Sequence, residues 1–246
     1  MDIIRSVVVW LAGISFLVIT FPLTFITWLI VYPFDKNRMI THTLLVYGSF
    51  IISKLMPIWK ITIEGREKAR KDTTYIIIAN HQSILDILLL NCLRYRYKWI
   101  SKIENMKVPV IGWYLKMADY IIIDRGNEES KLEMFERSFG CLKNGISIII
   151  FPEGTRSADS QIGFFKRGAF QMALEAKIPV LPVLIDGTGG ILPKHGFIFR
   201  SRKHVNIRVL DPVSPDTFVS DTPESLALKF NSLMSAELIK LRNAKK

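Results

Sequence analysis

Apolar residues dominate the first part of the chain. No charged residue occurs between residues 6 and 34, and a second apolar stretch, Met39–Ile58, is interrupted by His42 and Lys54. About 20 apolar residues suffice to cross a bilayer as a helix. The first stretch therefore predicts a membrane-associated helix, and the second is a poorer span. A buried core helix is the disfavoured alternative, because a soluble domain seldom spends so long an apolar run on one element.

From residue 60 onward, short β-branched runs alternate with amphipathic stretches. Strands are predicted at 60–64, 75–79, 98–101, 120–123, 147–151, 178–185 and, as an outer strand, 205–209. Helices are predicted at 84–93, 109–117, 128–143, 168–176 and 223–242. This alternation is typical of an α/β domain with a mostly parallel central sheet flanked by helices. We predict an N-terminal membrane-anchoring helical segment, 1–58, and an α/β domain, 59–246.

Basic residues predict the orientation of the N-terminal segment. Arg5 is the only basic residue before the first apolar stretch, whereas the chain after residue 59 is densely basic. Basic segments tend to stay in the cytoplasm, which places the α/β domain at the cytoplasmic face of the cell membrane. A single crossing would put the N-terminus outside. We favour a membrane-embedded helical hairpin, which keeps both ends inside.

The composition narrows the classes of ligand. The net charge is +11 while 49% of the residues are hydrophobic, which favours anionic lipid or a phosphorylated substrate over nucleic acid. Cys92 and Cys141 are far apart, and the four histidines have no ligand spacing. We therefore expect no disulfide framework, no metal site and no nucleic-acid partner.

The candidate catalytic pair follows the predicted strand at 75–79. His81 should lie on the strand-to-helix turn and Asp86 in the first helical turn, behind Ser83 as the N-cap. A carboxylate bonded to one ring nitrogen fixes the tautomer and leaves the other nitrogen free to take a proton. Backbone amides at this helix start are candidates for an oxyanion hole. The alternative is that Asp86 only caps the helix.

A second polar loop, Phe151–Ser157, follows the predicted strand at 147–150. In open α/β sheets, ligands bind beyond the carboxyl ends of the strands. Gly154 allows close backbone approach, Thr155 offers a hydroxyl, and Arg156 can grip two phosphate oxygens. Glu153 would repel a phosphate and is expected to orient Arg156 or to bind an acceptor hydroxyl. A loop stabilised only by a Glu153–Arg156 pair is the alternative.

Ordered sequence blocks in this chain resemble those of the glycerolipid acyltransferase superfamily, specifically the 1-acylglycerol-3-phosphate O-acyltransferases. The blocks are Asn80–Asp86, Gly112–Arg125, Phe151–Ser157 and Ile178–Val183. The resemblance covers about residues 60–213. Asp186 before Gly187 departs from the family's pattern, where a small or neutral residue is expected.

The resemblance implies a membrane-associated enzyme that moves a fatty acyl group from an acyl thioester to the free hydroxyl of 1-acyl-glycerol-3-phosphate, giving phosphatidic acid. It implies His81 as the general base and Asp86 as its orienting partner. The implied substrate-binding residues are Lys102, Arg125, Glu153, Gly154, Thr155 and Arg156.

The same resemblance sets the expected cofactors and partners. No resident cofactor is expected, because acyl-CoA or acyl-carrier protein supplies the acyl group as a substrate. The expected partners are membrane lipid and that donor. The alternatives are transfer to another lysolipid, hydrolysis of a lipid thioester by the same pair acting on water, and a non-catalytic lipid-binding protein that would not need His81.

Overall fold

The computed structural model describes residues 2–200 and 203–244. The helices are α1 (Asp2–Val31), α2 (Met39–Leu55), α3 (Leu85–Leu90), α4 (Ile111–Met117), α5 (Glu128–Lys143), α6 (Gly168–Ala176) and α7 (Pro223–Asn243). The strands are β1 (Trp59–Glu64), β2 (Ile76–Ala79), β3 (Tyr97–Lys102), β4 (Ile121–Ile123), β5 (Ser147–Ile150), β6 (Val180–Asp186) and β7 (Lys203–Val209). Each predicted strand and helix is present, with bounds that differ by a few residues.

The strands form a seven-stranded sheet in the order β1-β7-β6-β2-β5-β3-β4. β1 pairs in parallel with β7, β2 with β6, and β3 with β4, whereas β6 and β7 are antiparallel. The predicted mostly parallel α/β sheet is therefore confirmed.

The prediction that residues 205–209 form an outer strand is wrong. β7 lies between β1 and β6, and β1 forms the edge. The alternation of β7 has another cause, because its polar side chains find polar partners on β1. His204 lies 2.6 Å from the Thr62 hydroxyl, and Arg208 pairs with Glu64 at 2.8 Å. Polar alternation therefore does not mark the edge of this sheet.

The chain divides into two compact units. One comprises Met1–Met56 and Leu88–Ile148, and the other comprises Pro57–Ile87 and Ile149–Lys246. We call them the helical-hairpin unit and the dyad unit, after the N-terminal helices of the first and the His81–Asp86 pair of the second. The predicted boundary between residues 58 and 59 stays a prediction.

The dyad unit has its core between the sheet and helices α6 and α7. β6 is buried from Val180 to Ile185. One face of α7 supplies the apolar cover at helical spacing, with Leu226, Phe230, Met234, Leu238 and Leu241 all buried. Thr222 caps this helix, since its side chain accepts a hydrogen bond from the Ser225 amide. The C-terminal helix is thus firmly packed.

In the helical-hairpin unit, α1 and α2 are joined by a short turn and pack on each other. A β-carbon on Gly48 of α2 would lie 3.8 Å from the Phe16 ring of α1, so the two helices are closely apposed. Asp35 in the turn caps α2 by accepting hydrogen bonds from the Met39 and Ile40 amides at 2.8 and 2.9 Å. The helical hairpin predicted from the sequence is therefore present; its embedding in a membrane stays a prediction.

Among the described residues, one helix is long and apolar enough to cross a membrane, namely α1. Most of its apolar side chains are exposed, whereas α2 is shorter and partly buried. Part of α1 packs on α4, where the Phe21 and Trp113 ring centroids are 5.1 Å apart and the Thr20 hydroxyl lies 3.1 Å from the Tyr114 hydroxyl. The remaining apolar surface of α1 is uncovered.

Candidate active site

His81 and Asp86 meet as their spacing predicts. β2 ends at Ala79, His81 lies on the turn that follows, and Asp86 lies in the first turn of α3. His81 Nδ1 is 2.8 Å from Asp86 Oδ2. A carboxylate only accepts, so Nδ1 carries a proton and Nε2 of the neutral ring is the nitrogen that can take one. The geometry is that of a general base held by a carboxylate, and its catalytic role stays a prediction.

Asp86 is completely buried and both of its oxygens are engaged. Besides His81, Oδ2 accepts hydrogen bonds from the Gln82 and Ser83 amides at 2.6 and 2.8 Å. Oδ1 accepts a hydrogen bond from the Thr188 hydroxyl at 2.6 Å. Asp86 therefore binds the amides at the helix start and contacts His81 at the same time, so it does more than cap the helix, and its role in catalysis stays a prediction.

These contacts also limit the expected oxyanion hole. The Gln82 and Ser83 amides donate to Asp86, so neither is free to stabilise a developing oxyanion. A donor for that role would have to come from elsewhere in the site.

The His81 ring is fixed from a second direction by Phe151, just after β5. The two rings stack with centroids 3.9 Å apart and an interplanar angle of 8°. The His81 carbonyl accepts a hydrogen bond from the Ser157 amide at 2.7 Å. The His81 side chain is 14% exposed, so it is enclosed yet reachable. The loop after β5 thus positions the histidine through both its ring and its backbone.

Glu153 fastens this loop to the histidine. Its Oε1 accepts a hydrogen bond from the His81 amide at 2.8 Å, and its Oε2 accepts one from the Gly163 amide at 2.9 Å. Burial raises the pKa of Glu153, and the two amide bonds partly offset this rise. Among residues 2–200 and 203–244, no ion pair joins Glu153 to Arg156. The loop is therefore not built on that pair, and the substrate-binding role of Glu153 stays a prediction.

A cavity of about 470 Å³ lies beside this carboxylate, lined by the loop between Glu153 and Lys166. Gly154 begins the loop with a positive φ of 70°, a conformation that glycine adopts without strain. Thr155 and Arg156 line the cavity together with Lys166. The same lining includes the carboxylates of Glu153 and Asp159. The groups in it that suit an anionic ligand such as a phosphate are the two cationic side chains and the hydroxyl.

Lys102 and Arg125 belong to the helical-hairpin unit and are described there. Lys102 is the last residue of β3 and pairs in register with Ile123 of β4. Arg125 follows β4 in a turn in which the Gly126 amide donates to Asp124 at 3.0 Å. Burial lowers the pKa of Arg125, and Glu104 opposes this shift. Their predicted substrate-binding role stays a prediction.

Sequence reasoning assigned no role to several residues that hold the pair. Thr188 bonds the far oxygen of Asp86, and Phe151 stacks on His81. Asn80 ties β2 to β6, since its side chain donates to the Ile185 carbonyl at 2.9 Å and accepts from the Ile185 amide at 2.8 Å. The available signal was position, because each of these residues lies at the end of a predicted strand or within three residues after it.

A family profile described as Acyltransferase matches residues 60–186. A 1-acyl-sn-glycerol-3-phosphate acyltransferase of Chlamydomonas reinhardtii is 36% identical over 184 residues, covering 73% of this chain and 54% of that protein. A chloroplastic enzyme of the same name, LPAT1 of Arabidopsis thaliana, is 37% identical over 180 residues, covering 72% and 49%. The matched region thus spans about half the length of these curated relatives.

A solved structure agrees over nearly the whole chain. The crystal structure of the 1-acyl-sn-glycerophosphate (LPA) acyltransferase PlsC from Thermotoga maritima superposes with a TM-score of 0.83 at 25% sequence identity. The match covers 98% of this chain and 96% of that one. The similarity therefore includes the N-terminal helices as well as the α/β part.

Proposed function

Since this chain belongs to the acyltransferase family, we propose that it transfers a fatty acyl group from an acyl thioester to the free hydroxyl of 1-acyl-glycerol-3-phosphate, giving phosphatidic acid for phospholipid synthesis. The observation that carries the proposal is the 2.8 Å contact between His81 Nδ1 and Asp86 Oδ2, close to a cavity whose lining includes Arg156 and Lys166. The relatives named for this reaction support it.

In the proposed reaction, His81 Nε2 removes the proton from the acceptor hydroxyl while that oxygen attacks the thioester carbonyl. The tetrahedral intermediate collapses, the carbon–sulfur bond breaks, and the proton passes from His81 to the departing thiolate. Asp86 stabilises the imidazolium that forms between these steps. The pair therefore transfers the acyl group directly to the acceptor, without an acyl-enzyme intermediate.

The cavity beside Glu153 is the proposed seat of the acceptor's phosphate. Arg156 can bind two phosphate oxygens at once, Lys166 adds a second positive charge, and Thr155 offers a hydroxyl. In the helical-hairpin unit, Lys102 and Arg125 are proposed to contribute to the same substrate.

The proposal includes a membrane location and two substrates, with no resident cofactor. The apolar surface of α1 supports attachment to a bilayer, where the acceptor lipid resides, and we place the site at the cytoplasmic face of the cell membrane. The acyl donor is coenzyme A thioester or acyl-carrier protein. Both donors present a thioester carbonyl to the attacking acceptor hydroxyl.

A product analysis with both donors tests the proposal. Purified protein is incubated with a panel of lysolipids, including monoacylglycerol as a phosphate-free acceptor, and products are identified by mass spectrometry. We expect phosphatidic acid from the phosphorylated acceptor and little product from monoacylglycerol. Free fatty acid as the main product would indicate the hydrolase instead.

The first variant to test is His81→Ala. We expect turnover to fall at least about a hundredfold, because general-base catalysis contributes roughly 10²–10⁴-fold. His195→Ala is the matched control, since His195 is exposed in another loop. Circular dichroism and membrane binding should be unchanged in both. Near-normal turnover of His81→Ala would rule out the dyad.

A further inference from the structure

The side chain of Arg242, near the end of α7, joins two segments of the dyad unit. Arg242 pairs with Asp186 Oδ1 through Nη2 at 2.9 Å and Nε at 3.0 Å. The same guanidinium donates to the Ser160 carbonyl at 2.6 Å and to the Gln161 side chain at 3.3 Å. Its side chain is 28% exposed and that of Asp186 is 14% exposed. This is a multiple, partly buried contact, unlike a single surface ion pair.

The Asp186 contact leads to the candidate base. Asp186 ends β6 and is followed by Gly187, where φ is +103° and a β-carbon would lie 2.3 Å from the His204 carbonyl oxygen. The backbone is thus fixed tightly at this point. The next residue, Thr188, donates to Asp86 at 2.6 Å. The guanidinium therefore holds the strand end from which the Thr188 hydroxyl reaches Asp86.

The Ser160 contact leads to the cavity. Ser160 has a positive φ of 62°, which a non-glycine residue adopts only when its surroundings hold it there. Its carbonyl accepts hydrogen bonds from Arg242 and, at 3.3 Å, from the Gln82 side chain. Gln82 also accepts from the Gly187 amide at 3.2 Å. The contacts close a ring that includes the residue next to His81.

We propose that Arg242 is a positioning residue with two effects: it holds Thr188 next to Asp86, and it holds the loop at 158–163 in the conformation that lines the cavity. The catalytic part of this proposal rests on the proposed function. The contact with Asp186 affects the chemical step, because it positions Thr188, whose hydroxyl bonds the Asp86 carboxylate that orients His81. The contacts with Ser160 and Gln161 affect acceptor binding, because the loop at 158–163 lines the cavity. The acidic residue at position 186, where the sequence comparison led us to expect a small or neutral one, is the ion-pair partner of this arginine.

Arginine suits the position for a geometric reason. Its planar guanidinium presents several fixed donors, so it can meet Asp186 and Ser160 at once, whereas a lysine ammonium acts as a single point charge. Removing the guanidinium leaves α7 in place, because Met234, Leu238 and Leu241 remain buried. The effect on catalysis can therefore be separated from the packing of the helix.

Steady-state kinetics of Arg242→Gln test the proposal. We expect kcat to fall roughly tenfold, because small displacements of reacting groups are costly, and the KM for the acceptor to rise severalfold. Asp186→Asn should lower kcat with little change in that KM. Arg242→Lys should restore kcat in large part but not the KM, since lysine can keep only the contact with Asp186.

Arg208→Gln is the matched control. Arg208 pairs with Glu64 at 2.8 Å in the same unit, with comparable exposure of 26%, but Glu64 lies on the edge strand β1 rather than on a segment that contacts the dyad. We expect wild-type kinetics and a melting temperature similar to that of Arg242→Gln. Equal kinetics for the two variants, or a loss in Arg242→Gln explained by a much lower melting temperature, would overturn the proposal.

Hydrogen exchange separates this proposal from the proposed function. Measured by mass spectrometry in detergent, residues 158–163 and 187–189 should exchange faster in Arg242→Gln than in wild type or Arg208→Gln. Unchanged exchange overturns the positioning role whether or not the wild type is active. If the wild type makes no phosphatidic acid, the proposed function fails, while faster exchange still supports Arg242 as the residue that fixes both segments.

Discussion

The buried carboxylate of Asp86 accepts hydrogen bonds from His81, Gln82, Ser83 and Thr188. A buried ionised carboxylate is costly unless its oxygens are hydrogen-bonded. The Thr188 hydroxyl is the donor seen at Oδ1, and it comes from a strand end far away in sequence. Thr188 therefore stabilises the negative charge of the Asp86 carboxylate, which lies beside His81.

The first prediction at this scale concerns Thr188→Val, which keeps the side-chain shape and removes the hydroxyl. Leaving a buried acceptor unsatisfied costs roughly 1–3 kcal/mol, and more when the acceptor is charged. Because the loss at Oδ1 weakens the support of the carboxylate beside His81, we expect at least about a tenfold loss of kcat with acceptor KM nearly unchanged. Thr188→Ser, which keeps the hydroxyl, should recover most of the activity. Wild-type kcat in Thr188→Val would show that Oδ1 needs no partner.

Single-residue predictions from sequence succeeded where the contact is local. His81 and Asp86 are five residues apart, and turn geometry alone brings them together. The bonds from Thr188 to Asp86 and from Glu153 to the His81 amide join segments that are distant along the chain. Such contacts depend on which strands are neighbours, which a single sequence does not specify. The sequence correctly predicted a loop at Phe151–Ser157 after its strand, but it did not predict the hydrogen bonds of Glu153 to the His81 and Gly163 amides.

At the scale of elements, α2 is fastened to the strands of its own unit by a buried histidine. His42 Nδ1 lies 2.9 Å from the Tyr120 hydroxyl, and Nε2 lies 3.2 Å from the Tyr95 carbonyl. The Tyr97 ring packs edge-on against it with centroids 4.8 Å apart. In the sequence His42 only interrupted an apolar stretch; in the structure it connects that helix to the folded core.

The corresponding prediction is that His42→Ala destabilises the helical-hairpin unit by about 2–4 kcal/mol, because it opens a cavity and leaves the buried Tyr120 hydroxyl without this partner. A thermal-unfolding scan in detergent, followed by tryptophan fluorescence, measures the loss. The exposed His195 provides the control, since His195→Ala should unfold at the wild-type temperature. Equal melting temperatures would show that the hydrogen bonds of His42 contribute little.

Element existence followed from local pattern, whereas the strand order did not. Ile76–Ala79 is buried at every residue and was predicted as a strand from its apolar β-branched run alone. β7 was predicted to be an outer strand, yet it pairs with β1 along most of its own length and with β6 on its other side. The strands beside β7 are determined by packing and by the contacts of His204 and Arg208 with β1. An alternating pattern of apolar and polar residues along one strand carries no information about either.

At the scale of the whole molecule, an apolar helix surface and a net charge of +11 occur in one chain. Apolar insertion resists salt, whereas attraction of exposed basic residues to anionic lipid is screened within about 10 Å at 0.1 M salt. We therefore expect the protein to stay on anionic vesicles in high salt and to need detergent for release.

The double variant Ile19→Lys/Leu23→Lys tests which surface is responsible. These side chains of α1 are 74% and 65% exposed, so the fold should tolerate the change. We expect membrane binding in flotation assays to become salt-sensitive. The control Ser225→Ala lies on α7, in the other unit, and should leave binding unchanged. Salt-resistant binding by the lysine variant would place the attachment elsewhere.

The final prediction concerns how the hairpin of α1 and α2 meets the bilayer. If both helices lie in one leaflet, residue 2 and the α/β part are on the same, cytoplasmic side, consistent with the basic residues that follow residue 59. A cysteine introduced by Asp2→Cys, with Cys92 and Cys141 replaced by alanine, should then escape a membrane-impermeant maleimide in intact cells and react after permeabilisation. Labelling from outside would show that α1 crosses the membrane, and the long apolar helix would then be a single span.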